Sequence, residues 1–202
     1  CTSEDSAEAA RQMRDMGVGS IVVLGGDGTN RVVASSCGNI PIAGVSTGTN
    51  NAFPELREPT ITGIAVGLAV TGKVPFEHAF SFNKRLEVTV NEQREIALVD
   101  IAVVSERFIG ARAIWKTENF RDLFVTFGRP DGIGMSSIIG LLFPLDRETQ
   151  EGRRVRLEVG ARRVVLARPP LVLLEDHGPR MHRGLRLEQR LRLAQRHVLE
   201  SP

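Results

Sequence analysis

Ten consecutive residues, Ile21-Val22-Val23-Leu24-Gly25-Gly26-Asp27-Gly28-Thr29-Asn30, combine an aliphatic run with three glycines, one acid and one hydroxyl. That combination suits phosphate chemistry. Glycines let the backbone approach an anion and take φ angles that a side chain would forbid. A helix starting over Thr29 to Ser36 would aim free N–H groups and the positive end of its dipole back at the turn. Asp27 is the only charge in the run. A carboxylate in a phosphate cradle repels its ligand unless a cation or a hydroxyl proton stands between them, so the acid points to Mg²⁺-linked phosphoryl transfer. The turn is not a Walker A loop, because no Gly-Lys-Ser/Thr follows it. Taken without the acid, Gly25, Gly26 and Gly28 are equally compatible with a plain tight turn.

A second glycine turn, Gly44-Val45-Ser46-Thr47-Gly48-Thr49-Asn50-Asn51-Ala52-Phe53, follows a short strand at Ile40 to Val45. Thr47, Thr49, Asn50 and Asn51 beside Gly48 supply amides and hydroxyls of the kind that recognise adenine and ribose edges. Arg31, one turn into the expected helix, could reach a phosphate, or could be an ordinary surface arginine. Asp100 closes the apolar stretch Ala97-Leu98-Val99. An unpaired buried carboxylate is costly, so a ligand hydroxyl, a metal or an arginine is expected beside it. The four histidines, His78, His177, His182 and His197, lack metal-ligand spacing and are given no role.

Gly25-Gly26-Asp27-Gly28-Thr29 resembles the GGDGT signature shared by the NAD kinases and the diacylglycerol and sphingosine kinases. Gly48-Thr49-x-Asn51 is nearer the lipid-kinase form of the second loop. Together with Arg31-Val32-Val33 and Gly132-Ile133-Gly134-Met135-Ser136-Ser137-Ile138-Ile139-Gly140, the chain most resembles the NAD-kinase-like acetoin-catabolism protein X family, from about Thr2 to about Ala167. The resemblance implies a kinase-type phosphotransferase that uses ATP and Mg²⁺, with NAD as a further candidate ligand. Asp27 would orient or deprotonate an acceptor hydroxyl. Gly25, Gly26, Gly28, Thr29, Asn30, Arg31, Thr47, Gly48, Thr49, Asn50, Asn51 and Asp100 would bind the cofactor.

Two departures weigh against NAD as the acceptor. Val99 stands where NAD kinases and their lipid-kinase relatives carry asparagine, which removes an amide from the substrate site. The chain has no tyrosine, so the Gly-Ser-Thr-Ala-Tyr loop of NAD kinases is absent, and Ser136 and Ser137 are the donors left at Asp131 to Ser137. A regulatory protein that kept the nucleotide cradle and lost the chemistry therefore stands as a second expectation. A lipid kinase is a third.

The elements that must position these residues fall into two patterns. Thr2-Ser3-Glu4-Asp5 leads into a helix in which Ala7, Ala10, Met13 and Met16 recur at helical spacing. Ile21 to Leu24 predicts a strand covered on both faces. A helix follows over Thr60 to Thr71, with Ile61, Ile64, Ala65 and Leu68 on its buried face and Gly72 as its stop. After Lys73 the period changes to two. Leu86, Val88 and Val90 alternate, Asn91-Glu92-Gln93 turns, Ile96 to Val104 runs back, and Arg153 to Val159 with Arg162 to Leu166 forms a second hairpin. The expected fold is α/β plus β. A partial Rossmann-like, NAD-kinase-type α/β domain is expected over 1–74 and an antiparallel β domain over 75–170, and the family resemblance implies a cleft between them.

An arginine-rich tail covers 171–202. It reads either as native, with a strand at Leu171 to Leu174 and an amphipathic helix using Leu185, Leu187, Leu191 and Leu193, or as an out-of-frame segment. Cys1 replaces the usual methionine, and related chains carry an earlier strand and helix, so a fragment is expected.

Two hundred and two residues allow one large or two small domains. Two cysteines, Cys1 and Cys37, without CxxC spacing favour a reducing, cytoplasmic setting. No apolar run reaches about 18 residues and the first residues are acidic and polar, unlike a signal peptide, so no membrane partner is expected. The net charge of +2 hides an asymmetry: residues 151–202 carry 12 arginines against 6 acids, leaving −4 for 1–150. No aromatic residue is interleaved with those arginines, so nucleic acid is not an expected partner. A nucleotide and a small-molecule acceptor are, and a homo-oligomer stays open.

Overall fold

A computed structural model describes residues 2–90, 92–105, 119–149, 151–157, 164–167 and 197–198. The chain divides into two units, residues 1–85 with 192–202, and residues 86–191.

In the first unit, α1 (Ser3–Asp15) begins at a reciprocal capping box. The Asp5 N–H donates to Thr2 Oγ1 at 3.3 Å and the Thr2 N–H donates to Asp5 Oδ2 at 2.6 Å, satisfying two donors that the helix start leaves open. Ala7 and Ala10 are buried, and α1 packs on α2 (Asp27–Ser36). Met13 and Met16, at the same spacing, are exposed. Between the helices, β1 (Ile21–Leu24) pairs in parallel with β2 (Ile42–Val45), with Ile21 opposite Ile42.

β1 is not covered on both faces as its sequence predicts. Ile21 and Val23 are buried, whereas Val22 and Leu24 are 43% and 66% exposed. The reason is positional: β1 ends the order of its sheet, and the helix on the Val22 side packs over β2 instead. That helix is α3 (Pro59–Val70), whose Val66 and Ala69 cluster with Ala43, with Ala79 of α4 (Phe76–Ala79) and with Phe80. The register places Ala43 beside Val22 on one face. β3 (Ser81–Phe82) and a two-residue strand, His197–Val198, complete this sheet, the latter parallel to β2 and antiparallel to β3.

The buried face of α3 also differs from expectation. Thr62, Val66 and Ala69 point inward, while Ile61, Ile64 and Leu68 are 62%, 59% and 41% exposed. No residue of α3 is charged. A helix apolar all round carries no period that could choose a face, and the smaller side chains fit closest to the sheet. The start of α3 is set locally by Pro59 at its first position and by Glu58, whose carboxylate accepts from the backbone N–H groups of Thr60 and Ile61, the latter at 2.8 Å.

Those bonds, the one to Thr60 first, hold the Glu58 carboxyl below its usual value of 4.5. A lowered folded value means that the stabilisation is complete above the unfolded value and is lost as pH falls through the folded one. Glu58→Gln should therefore lower the thermal midpoint at pH 7 and make little difference once acid has protonated the wild-type carboxyl. A deficit that persists undiminished in acid would show that charge is not what the cap supplies.

The second unit is built from antiparallel strands. β4 (Leu86–Val90) and β5 (Gln93–Ala97) form a hairpin, as the alternation predicts, with Glu92 in the left-handed region at φ 70°. The expected single strand from Ile96 to Val104 is instead broken at Leu98 and Val99, and β6 (Asp100–Val104) joins a different sheet. Thr126 accounts for the break. Its Oγ1 donates to the carbonyls of Leu98 and Val99 at 2.7 and 3.0 Å, and its N–H donates to Val99 O at 2.8 Å. Those carbonyls are thereby turned out of the β4–β5 ladder.

β6, β7 (Phe120–Val125), β8 (Arg153–Leu157) and β9 (Val164–Ala167) follow one another in an antiparallel sheet, with β8 and β9 forming the predicted second hairpin. Ile139 of α5 (Ser136–Leu142) packs on Phe120, Leu123, Val125, Leu145 and Val155. The fold is thus mixed helix and sheet with small antiparallel sheets. Leu171 to Leu174 and most of the tail lie outside the described residues. His197–Val198, now β10, is a short strand, and Leu185, Leu187, Leu191 and Leu193, the leucines of the amphipathic-helix reading, lie outside the described residues. Among the described residues no helix is long and apolar enough to cross a membrane.

Candidate functional site

The two glycine turns meet at the start of α2. Gly26 is the N-cap, so Asp27, Gly28 and Thr29 form the first helical turn, where backbone N–H groups have no acceptor within the helix. The N-cap itself, a glycine, has no side chain to offer this end. The Asp27 carboxylate reaches across to the second turn instead. Its Oδ1 accepts from the Phe53 N–H at 2.8 Å and from the Ala52 N–H at 3.1 Å, and its Oδ2 accepts from the same Ala52 N–H at 3.0 Å. In return the Asp27 N–H donates to Asn51 Oδ1 at 3.3 Å. The Asn51 amide in turn donates to Ser46 Oγ at 2.9 Å, and Ser46 Oγ donates to the Gly48 carbonyl at 3.1 Å.

This approach needs glycine at position 26, because a Cβ there would lie 2.5 Å from Asn51 Oδ1. Position 28 is different: nothing lies within 4 Å of a Cβ on Gly28, which is exposed. Asn30 is fully buried. Its Nδ2 and its backbone N–H both donate to the Gly26 carbonyl at 3.0 Å, and its Oδ1 has no partner.

The sequence-predicted residues therefore sort by position. Gly28, Thr47, Gly48, Thr49 and Asn50 form the open face. Gly26, Asp27, Thr29, Arg31 and Asn51 are half-buried, and Gly25 and Asn30 lie beneath, with Asn30 bracing the turn's own backbone. Asp100 belongs to the other unit, half-buried at the start of β6 opposite Val125. Val99 is buried there. The hydroxyl of Ser136 is turned to the Ile133 carbonyl at 3.4 Å and that of Ser137 to Gly134 at 2.6 Å, the ordinary bonding of a helix start.

Sequence reasoning gave no individual role to Ser46, although it stands within the quoted turn. It could not have found the Ala52 and Phe53 N–H groups, which carry no side-chain signal. It also passed over Lys84, a cation only 3% exposed, whose burial no local pattern announces.

Among the described residues no group of three or more His, Cys, Asp or Glu could hold a metal ion. An Mg²⁺ ion beside Asp27 would have to draw its other ligands from water and from the phosphates of a bound nucleotide.

Residues 2–74 match the ATP-NAD kinase N-terminal domain, and residues 84–199 match the acetoin catabolism protein X C-terminal domain. Acetoin catabolism protein X of Cupriavidus necator is 51% identical over 159 residues, which cover 76% of this chain and 44% of that relative. The chain thus spans less than half the length of the relative it matches.

Proposed function

This chain belongs to the acetoin catabolism protein X family, and on that premise we propose that its first unit is a Rossmann-like, NAD-kinase-type module that binds a nucleotide. The N–H groups of Gly28 and Thr29 at the start of α2 would hold phosphates of ATP. Thr47, Thr49 and Asn50 face the base and ribose. Mg²⁺ bound with those phosphates would supply charge neutralisation. Asp27 orients the acceptor hydroxyl for in-line attack, and positioning with charge neutralisation contributes most of the rate, since the transition state of phosphoryl transfer is loose. The acceptor is a small molecule, and acetoin catabolism is the setting that the relative's name supplies.

One observation carries this proposal: a glycine-capped helix start, an acid and a second glycine turn are joined at a single point, with an open face at Gly28. A regulatory nucleotide sensor is the second reading. The buried apolar Val99 favours it, as does the engagement of the Asp27 carboxylate by backbone donors.

Calorimetry with MgATP and with NAD, followed by a turnover assay, tests both. Gly28→Asp is the informative variant. It places an acid in the first turn of a helix, which the dipole favours, in a position with room for it, while confronting any bound phosphate with a second negative charge. MgATP affinity should fall at least about ten-fold with no loss of thermal stability. Unchanged affinity would remove the phosphates from this helix end. Tight MgATP binding without product would make the protein a sensor.

A further inference from the structure

We propose that Asp27 is first a positioning residue: its carboxylate latches the second glycine turn onto the start of α2, so that acid and turn work as one unit. The latch has two strands. One is the pair of backbone donors, Ala52 and Phe53, on the carboxylate. The other runs from the Asp27 N–H to Asn51 Oδ1 and on through Asn51 Nδ2 to Ser46. Neither Thr47 nor Asn50 bonds to α2 in the described contacts, so the exposed face of the turn is held in place through these bonds at its two ends. Gly26 is what lets the strands close, since a Cβ there would collide with the Asn51 amide.

Two consequences follow. A carboxylate has about four acceptor positions, and three are engaged here, so a ligand hydroxyl must share the oxygens that hold the turn. Binding at Asp27 and order in residues 46–53 are therefore coupled. Loss of Asp27 should also weaken nucleotide binding itself, beyond any effect on a chemical step.

The geometry makes a graded forecast. Asp27→Ala removes both partners, and amide exchange at Ala52 and Phe53 should accelerate about ten-fold or more, while helix bonds such as Cys37 N–H to Val33 O keep their protection. Asp27→Asn keeps an oxygen at the Oδ1 position, within reach of both N–H groups, but sets an amide NH2 against the Ala52 N–H in place of Oδ2, so Ala52 should loosen more than Phe53. Asn51→Ala cuts the other strand without touching the carboxylate, and it reads the latch even if the substitutions at Asp27 prevent folding. It should accelerate exchange at Asp27 and Ala52. In calorimetry on the full chain, Asp27→Asn and Asn51→Ala should each weaken MgATP binding, and the double variant should lose less than the product of the two effects, as residues of one network do.

Unchanged exchange at Ala52 in all three variants would overturn the latch, and so would strictly multiplicative losses in affinity. The affinity arm rests on the proposed nucleotide site, whereas the exchange arm does not. Wild-type protein that ignores MgATP but shows the graded exchange would sink the nucleotide proposal and keep the latch.

Discussion

Asn30→Asp is expected to destabilise the protein by about 3 kcal/mol at neutral pH, the scale of an uncompensated buried charge. The two side chains have nearly the same shape, so packing is not the cause. The Asn30 amide donates to the Gly26 carbonyl at 3.0 Å from a fully buried position. A carboxylate there would set one oxygen against that carbonyl. Its other oxygen would inherit the site of Oδ1, which has no partner and lies against Gly44.

The variant's stability should depend steeply on pH. Burial without a donor raises the folded value of an acid, so between the unfolded value of about 3.9 and that raised value the native state holds a proton that the unfolded chain has lost. Stability must then fall as pH rises across that window, and at pH 4 the protonated acid can still donate to Gly26 as the amide does. Urea unfolding at pH 4 and pH 7 measures this directly. A variant as stable as wild type at pH 7 would show that position 30 is open to water or to a cation.

Gly140→Ala should be comparably damaging in the second unit, at about 3 kcal/mol, toward the upper end of overpacking costs. Within a helix, alanine would ordinarily gain about 1 kcal/mol over glycine. Here a Cβ would lie 2.2 Å from the carbonyl carbon and oxygen of Arg129 and 2.7 Å from its nitrogen, all of them backbone atoms. Moving that segment would break the paired bonds between Gly128 and Leu145, both at 2.9 Å, and would lift Ile139 from the core it anchors. Gly63→Ala and Gly67→Ala in α3 are the controls. Nothing lies within 4 Å of a Cβ at either, so propensity should prevail and thermal stability should rise. A wild-type midpoint for Gly140→Ala would mean that α5 can shift away from Arg129 at no cost.

Much of the site was legible because its signals are local. Three glycines and an acid after an aliphatic run specify a turn whatever the rest of the chain does, and the capping box at Thr2 and Asp5 lies within four residues. The hairpins at β4–β5 and β8–β9 follow from alternation alone. The surface that each apolar run meets was not legible. Val22 and Leu24 read the same as Ile21 and Val23, and only the place of β1 at the end of its sheet left one pair exposed.

The break at Leu98 and Val99 has the same origin. Ile96 to Val104 is uninterrupted strand-forming sequence, and what divides it is a hydroxyl 27 and 28 residues further along the chain. The residues by themselves determined the turn chemistry, the order of helix and strand, and the family to which the chain belongs. Tertiary structure decided which oxygen of Asp27 meets which N–H, that Asn30 lies beneath the turn and not on its face, and that Gly28 alone of the first glycines looks onto open space. Hydrogen bonds between residues about 25 positions apart depend on where two turns come to rest, and no spacing along the sequence encodes that distance.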